Sequence, residues 1–574
     1  MKELMLGNAA IARALYEAGC RFISSYPGTP STEITEEAAK YDEMYSEWAP
    51  NEKVAMESAI GASMAGARSF CAMKHVGLNV AADPMFTASY TGVNGGMVIT
   101  VADDPGMHSS QNEQDSRHYA MAAKLPMLEP SDSAECLAYT RLAFEISEEF
   151  DTPVILRTCT RVAHSQSVVE TSPRAEIPLK DYVKNPGKYV MNPGNAIKRH
   201  VFVEERTRKL TEYAETSGIN RMEIGDSTGF ICAGTCYQYI KEAFPSASVL
   251  KLGMAYPMPE KMIRDFASRV EKLYVVEELD PFIENHVRAL GIVPDGGKDM
   301  FGLLGELSQV RIMKAMGVPV PETAAVDAAI PGRPPVMCAG CPHRGLFAVL
   351  KKLKLTVTGD IGCYTLGSMQ PLDSIDSTVC MGASIGMAHG FTKVRPEMTK
   401  KTVAVIGDST FMHSGITGVV NIAYNLGSAK VIVVDNHITG MTGHQQNPTT
   451  GYTLKNEPAA EISIEDVCRA CGIENVRVID PYDMKASEQV IREELEKDGP
   501  SVIISRRPCA LLKYVKARPA LRVDPEKCRS CKACLKLGCP AIVFQGKARI
   551  DENQCVGCGV CAQACAFGAI EGGC

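Results

Sequence analysis

The chain has 574 residues, a length that suggests three to five domains at ~100–200 residues each. Hydrophobic residues make up 45% and charged residues 22%, so large buried cores can form. A formal net charge of -7 and a sequence pI of about 6.0 give no reason to expect nucleic acid or an anionic membrane surface as partner.

The first residues, MKELMLGNAAIARALYEAG, show no basic leader, no long apolar run and no cleavage signature. No apolar stretch reaches the ~18 residues that a transmembrane helix needs. A cytoplasmic protein is therefore expected. Cysteine is the outlier: there are 22, and nine lie from Cys528 onward. Without a secretory signal, ligation of metals or clusters explains them better than a disulfide framework.

Residues 1–165 alternate helical patterns with short apolar runs such as 97–104 and 153–158, each ending in small or polar residues as βα units do. A polar segment with two turns, Asn185-Pro186-Gly187 and Asn192-Pro193-Gly194, reads as a linker. Residues 225–315 form a second, smaller α/β block, with strands expected at 230–234 and 273–278. A Pro-rich stretch at 331–335 precedes a third α/β block, 335–515, and residues 520–574 are short, Cys-rich and Gly-rich.

In the third block, TVAVIGDST (402–410) reads as a buried strand ending at Gly407-Asp408. A small-residue helix (415–427) and a second buried strand, KVIVVDNH (430–437), complete a βαβ unit. Open parallel sheets bind ligands at the carboxyl ends of such strands. Gly407 lets the backbone approach a diphosphate, while Asp408, Asn436 and the carbonyl near Ile438 offer hard oxygens that suit Mg²⁺. An ordinary strand-end Asp and turn Asn is the alternative. The spacing resembles the thiamine-diphosphate motif. The next segment, TGMTGHQQNP (439–448), which holds Met441 and Thr442, resembles the loop that closes over the diphosphate in 2-oxoacid:ferredoxin oxidoreductases.

That resemblance extends to the first block. SSYPGTPSTEI (24–34) resembles the YPxTPS motif of the superfamily and implies that Thr29 contacts the cofactor and the substrate end. NEKVAMESAIGASMAGAR (51–68) resembles its glutamate helix, with Glu57 as the acid that activates the aminopyrimidine ring. Glu57 stands among small, apolar residues, where a carboxylate is costly without a role. The alternative is an exposed Glu on an amphipathic helix.

Cys528, Cys531 and Cys534 follow CxxCxxC spacing, with Cys539-Pro540 after them; Cys555, Cys558 and Cys561 repeat the run, with Cys565 after them. This is the two-cluster bacterial ferredoxin pattern, in which the fourth Cys of each run ligates the other cluster. One [4Fe–4S] cluster takes Cys528, Cys531, Cys534 and Cys565, and the other Cys555, Cys558, Cys561 and Cys539. The first run has one extra residue before its fourth Cys, and Ala566 stands where the second run would have Pro; neither removes a ligand. Zinc ribbons do not use this spacing. Cys574 is left over and is expected to ligate nothing.

CAGCPHRG (338–345), DIGCYTLG (360–367) and RRPCALL (506–512) resemble, in order, the places where the superfamily holds a proximal cluster beside the thiamine. Cys338, Cys341, Cys363 and Cys509 would be its ligands; buried structural thiols are the other reading, and both stay open. Cys468 and Cys471 read as core residues. The wording of these motifs, with GDSTFMHSG, DNHITGMTGHQ and the ferredoxin tail, resembles the large (alpha) subunits of indolepyruvate:ferredoxin oxidoreductases over essentially the whole chain. The resemblance implies a multidomain α/β protein with thiamine-diphosphate-binding parallel-sheet domains and a C-terminal 2[4Fe–4S] ferredoxin-like domain. The second block becomes a transketolase C-terminal-like domain. It implies oxidation of an aryl pyruvate with coenzyme A to aryl-acetyl-CoA and CO2, with electrons passed to ferredoxin. A small beta subunit in an alpha-beta or alpha2-beta2 assembly is implied too. The alternatives are the same chemistry on another 2-oxoacid, or an electron-transfer subunit with a degenerate thiamine fold. The latter predicts a broken Glu57–Asp408–Asn436 set, which is intact.

Overall fold

Between Phe22 and Cys159 the apolar runs become the strands of one sheet. In spatial order these are Tyr45–Trp48, Phe22–Ser25, Ser69–Lys74, Met97–Asp103, Val154–Cys159 and Met127–Leu128, all parallel, with Met254–Tyr256 antiparallel at the far edge. Every residue of Ser69–Lys74, Met97–Asp103 and Val154–Cys159 is buried, as in parallel sheets covered on both faces. From Phe22–Ser25 the chain steps out to Tyr45–Trp48, crosses back to Ser69–Lys74, and then grows in the other direction. The carboxyl ends of Phe22–Ser25 and Ser69–Lys74 therefore flank a switch point, the place where such sheets hold ligands.

The structure, a computed structural model, describes residues 1–322 and 328–572, in two compact units, 1–326 and 327–574. Cys574 lies outside the described residues. The segment expected to be a linker in the first unit is helical. Asn185 accepts the Lys188 N–H at 3.1 Å and caps Pro186–Tyr189; Asn192 accepts the Asn195 N–H at 3.0 Å and caps the 24-residue helix Pro193–Thr216. Asn followed by Pro serves a helix start as well as a turn, which is why the sequence misled. Buried Arg206 ties this helix down by donating to the Ser89 carbonyl at 2.9 Å.

The block after it forms a four-stranded sheet in the order Lys272–Val276, Thr228–Ala233, Ser248–Leu252, Arg221–Glu223, with only the last strand antiparallel. Because Met254–Tyr256 leaves this block to pair with Met127–Leu128, the two blocks share a sheet.

The second unit holds a five-stranded parallel sheet in the order Thr356–Thr358, Thr402–Gly407, Lys430–Asp435, Ser501–Arg506, Asn475–Ile479. A Cys-rich module follows, with short antiparallel ladders Arg522–Val523 with Ile570–Glu571 and Ile542–Gln545 with Lys547–Ile550, around Leu521, Leu537, Ile542, Val560 and several cysteines. Among the described residues no helix is long and apolar enough to cross a membrane.

Candidate cofactor and cluster site

The buried strands Thr402–Gly407 and Lys430–Asp435 lie side by side, so their ends bring Asp408 next to Asp435 and Asn436. Asp408 is buried, and it accepts a hydrogen bond from Thr449 Oγ1 at 3.3 Å. Burial, and then the charge of Asp435, push its carboxyl up to about 7; the Ser409 N–H, Asn447 and Thr449 pull the other way. Asp435 has a partner in Arg506 Nε at 2.7 Å. Two buried acids at one edge fit a bound cation, and the oxygens of Asp408 and Asn436 fit Mg²⁺. Ile438 is buried and Met441 exposed, while Thr442 Oγ1 donates to Gln445 Oε1 at 2.6 Å. Thr439 Oγ1 donates to Ser409 Oγ at 2.9 Å and ties this loop to the Gly407-Asp408 turn. Asp435, Ser409 and Thr449 were not singled out in the sequence; the strand ending at Asp435 was the signal for the first.

Cysteines crowd the same strand ends. Cys509 N–H donates to the Asn436 carbonyl at 3.0 Å, and a Cβ on Gly440 would stand 3.3 Å from Cys363 Sγ. Burial pushes the Cys363 thiol up to about 11, and the charges of Cys509, Cys338 and Asp408 add to the rise. Burial likewise pushes Cys341 to about 12, with Cys363 and Cys338 adding. Thiols gathered this closely, with Cys341, Cys363 and Cys509 all raised, suit a metal that neutralises thiolates. Gly340, at φ +69°, lets the Cys338–Cys341 turn close, with Cys341 N–H donating to Cys338 O at 3.1 Å.

In the C-terminal module, Cys539, Cys555, Cys558 and Cys561 line one pocket, and Cys341 and Arg344 line it too. The charges of Cys539 and Cys555 bear on both Cys558 and Cys561. Cys534 is raised by burial and by the charges of Cys565 and Cys528 instead. The fourth cysteine of each run thus sits with the other run. Cys531 is exposed. The Ala569 N–H donates to Cys565 Sγ at 3.3 Å, and the Leu521 N–H to Cys555 Sγ at 3.5 Å. Cys468 is buried in the sheet's core with Cys471 packed against it. Arg344, within the CAGCPHRG segment, carries no ligand signal of its own in the sequence. It is buried and donates to the Met337, Cys338 and Leu537 carbonyls at 2.6, 2.9 and 2.6 Å, so it pins the CAGC turn to the module.

In the first unit, Thr29 is half-buried on the loop that leaves Phe22–Ser25. Glu57 is not in an apolar setting: it is exposed and forms an i,i+4 ion pair with Lys53. The buried carboxylate is Glu52, the first residue of helix Glu52–Met64, at 5% exposure. A Cβ on Gly77 would fall 2.5 Å from its Oε1, so the glycine makes room for it. Asn51 caps the helix through the Val54 N–H at 2.9 Å, and the helix N-terminus favours an acid at this position. Five residues turn an α-helix by roughly 140° beyond a full turn, which carries Glu57 to the solvent side.

Residues 13–223 match the family described as "Pyruvate flavodoxin/ferredoxin oxidoreductase, thiamine diP-bdg", residues 360–505 the "Thiamine pyrophosphate enzyme, C-terminal TPP binding domain", and residues 547–570 a "4Fe-4S binding domain". Together with the fold they define a thiamine-diphosphate enzyme of the 2-oxoacid:ferredoxin oxidoreductase class with a C-terminal iron–sulfur domain. The chain is 42% identical to the indolepyruvate oxidoreductase subunit IorA of Archaeoglobus fulgidus and 41% identical to that of Methanothermobacter marburgensis, in each case over 99% of this chain and 97% of the relative. It belongs to the indolepyruvate oxidoreductase subunit IorA family. A solved structure, "2-oxoglutarate:ferredoxin oxidoreductase from Magnetococcus marinus with 2-oxoglutarate, coenzyme A and succinyl-CoA bound", overlaps 55% of this chain and 65% of its own at 18% identity, with a TM-score of 0.48.

Proposed function

We propose that this chain is the thiamine- and cluster-bearing subunit of an enzyme that oxidises aryl pyruvates, indolepyruvate among them, with coenzyme A. The products are the aryl-acetyl-CoA, CO2 and two electrons, which leave through [4Fe–4S] clusters to ferredoxin. A small beta subunit completes the assembly, as the subunit naming of the relatives suggests. One observation carries the reading. Within the second unit the buried acids at Asp408, the cysteines around Cys363 and the pocket of Cys539, Cys555, Cys558 and Cys561 adjoin in sequence, through Cys363 and Cys341. A decarboxylase with no electrons to export needs no such chain.

Bound thiamine diphosphate supplies the electron sink for cleavage of the carbon–carbon bond. Asp408, Asn436 and the Ile438 carbonyl hold its Mg²⁺, and Gly407, Met441 and Thr442 line the diphosphate. Thr29 meets the substrate end. The acid that polarises the aminopyrimidine is Glu52 rather than Glu57, on the strength of its burial at a strand's carboxyl edge. Cys338, Cys341, Cys363 and Cys509 hold a proximal cluster, and the eight ferredoxin-type cysteines hold two more. The test is an anaerobic substrate panel on the two-subunit complex, with ferredoxin as acceptor. Coenzyme A-dependent reduction with indolepyruvate and phenylpyruvate, ahead of pyruvate and 2-oxoglutarate, is expected. Reduction without coenzyme A, or a preference for 2-oxoglutarate, would replace this reading.

A further inference from the structure

A 2-oxoacid enters as an anion, and the switch point of the first unit carries a buried cation that none of the roles above uses. Lys74 is the last residue of strand Ser69–Lys74, at 8% exposure. A Cβ on Gly28 would stand 3.1 Å from Lys74 Cβ, so the lysine packs against the loop that carries Thr29. Among the described residues its Nζ donates only to the Ser109 carbonyl at 2.7 Å and the Ser109 hydroxyl at 3.3 Å, both neutral. Among the described residues no carboxylate forms an ion pair with it. Asp104 feels its charge, but the oxygens of Asp104 are taken by the Ser109 N–H at 2.8 Å, Ser110 Oγ at 2.6 Å and Thr160 Oγ1 at 2.7 Å. His75 adds no positive charge, since burial keeps it neutral with Nε2 facing the Asn112 carbonyl.

An ammonium buried without a direct counter-ion is expensive, and burial lowers Lys74 to about 8. The same arrangement is cheap once an anion arrives. Ser109 is exposed on the loop that follows strand Met97–Asp103, so the ammonium meets the surface loop at the carboxyl edge of the sheet, next to the loop that carries Thr29.

We infer that Lys74 is the anchor for the carboxylate of the 2-oxoacid, holding it at the switch point beside Thr29. This rests on the 2-oxoacid reading above and adds the group that distinguishes an acid from its neutral isostere. A carboxylate at Lys74 leaves the aryl group free to point away from the charged edge, so the anchor fixes orientation without selecting the ring.

Non-reactive analogues test it in the whole two-subunit complex. 3-Arylpropionate and its primary amide are compared as competitive inhibitors and by direct titration without turnover. The wild-type complex is expected to favour the carboxylate, and Lys74→Met to lose that preference by roughly 10- to 100-fold while binding the amide as before, because a hydrogen bond to a charged group is at stake. Lys74→Arg, which keeps the charge, is expected to retain part of the preference. A variant that weakens acid and amide alike, or neither, or an arginine variant no better than methionine, overturns the inference. Binding is read without turnover, so it can fail while 2-oxoacid oxidation stands; an inactive complex with intact acid preference would instead sink the proposed function.

Discussion

The two parallel sheets place different charged groups at their carboxyl edges. In the second unit the edge gathers Asp408, Asp435 and a set of thiols, and Asp408 is destabilised there as an anion. In the first unit the edge also holds acids, Asp103 and Asp104, but Arg157, Ser109, Ser110 and Thr160 satisfy them, while the buried ammonium of Lys74 has only neutral hydrogen-bond partners among the described residues. Asp408 thus suits one edge to a cation, and Lys74 offers the other a place for an anion. The difference comes mainly from residues at the strand ends, because the strands themselves are mostly apolar.

The largest effect is expected at the acidic edge. Asp408→Ala should abolish turnover and Mg²⁺-dependent thiamine diphosphate binding in a calorimetric titration, while the iron content stays unchanged. If the variant bound the cofactor normally, the acidic edge would not be the metal site and the contrast would collapse.

Next comes the acid of the other unit. Glu52→Gln is expected to cut turnover by ~10²–10⁴, the range for loss of a positioned acid or base, whereas Glu57→Gln should stay within about twofold. Steady-state rates of the two variants decide between them. This pair also marks what the sequence could tell. The βαβ unit around Gly407-Asp408 and the cysteine runs were legible, because buried parallel strands are continuous apolar runs and cluster ligands come at fixed spacing. Glu52 was not, because both glutamates lie in one helix of small residues and only packing against Gly77 shows which faces inward. The shared sheet through Met254–Tyr256 was illegible for a similar reason: a three-residue edge strand has no period to read.

A smaller change is expected in the cysteine set of the acidic edge, Cys338, Cys341, Cys363 and Cys509. With three clusters of four irons, anaerobically prepared protein should hold about twelve irons per chain, and Cys509→Ala about eight. Iron analysis with low-temperature EPR checks this. A count near eight in the unaltered, fully reconstituted chain would leave Cys338, Cys341, Cys363 and Cys509 as free thiols.

The finest test is pH, where the two edges should respond with opposite sign. Asp408 titrates above its ordinary range, near 7, because of burial and Asp435. Its folded state therefore holds a proton that the unfolded chain has released, so the metal-free protein loses stability as pH rises from the ordinary carboxylate range through about 7. Mg²⁺ must displace that proton, so its affinity should fall about tenfold for each unit below about 7 and level off above it. Lys74 is lowered by burial to about 8, with Asp104 pulling the other way. Binding of the arylpropionate should accordingly be flat below about 8 and weaken about tenfold per unit above it. Asp103, Asp104 and His75 also face this edge: Asp103 is paired with Arg157 Nε at 2.7 Å, Asp104 accepts from Ser109, Ser110 and Thr160, and burial lowers His75. Titrations of each ligand across pH 5.5 to 9.5 on one preparation separate the two slopes. Equal slopes would mean that one shared group controls both, and that the charge contrast between the edges does not govern what each of them binds.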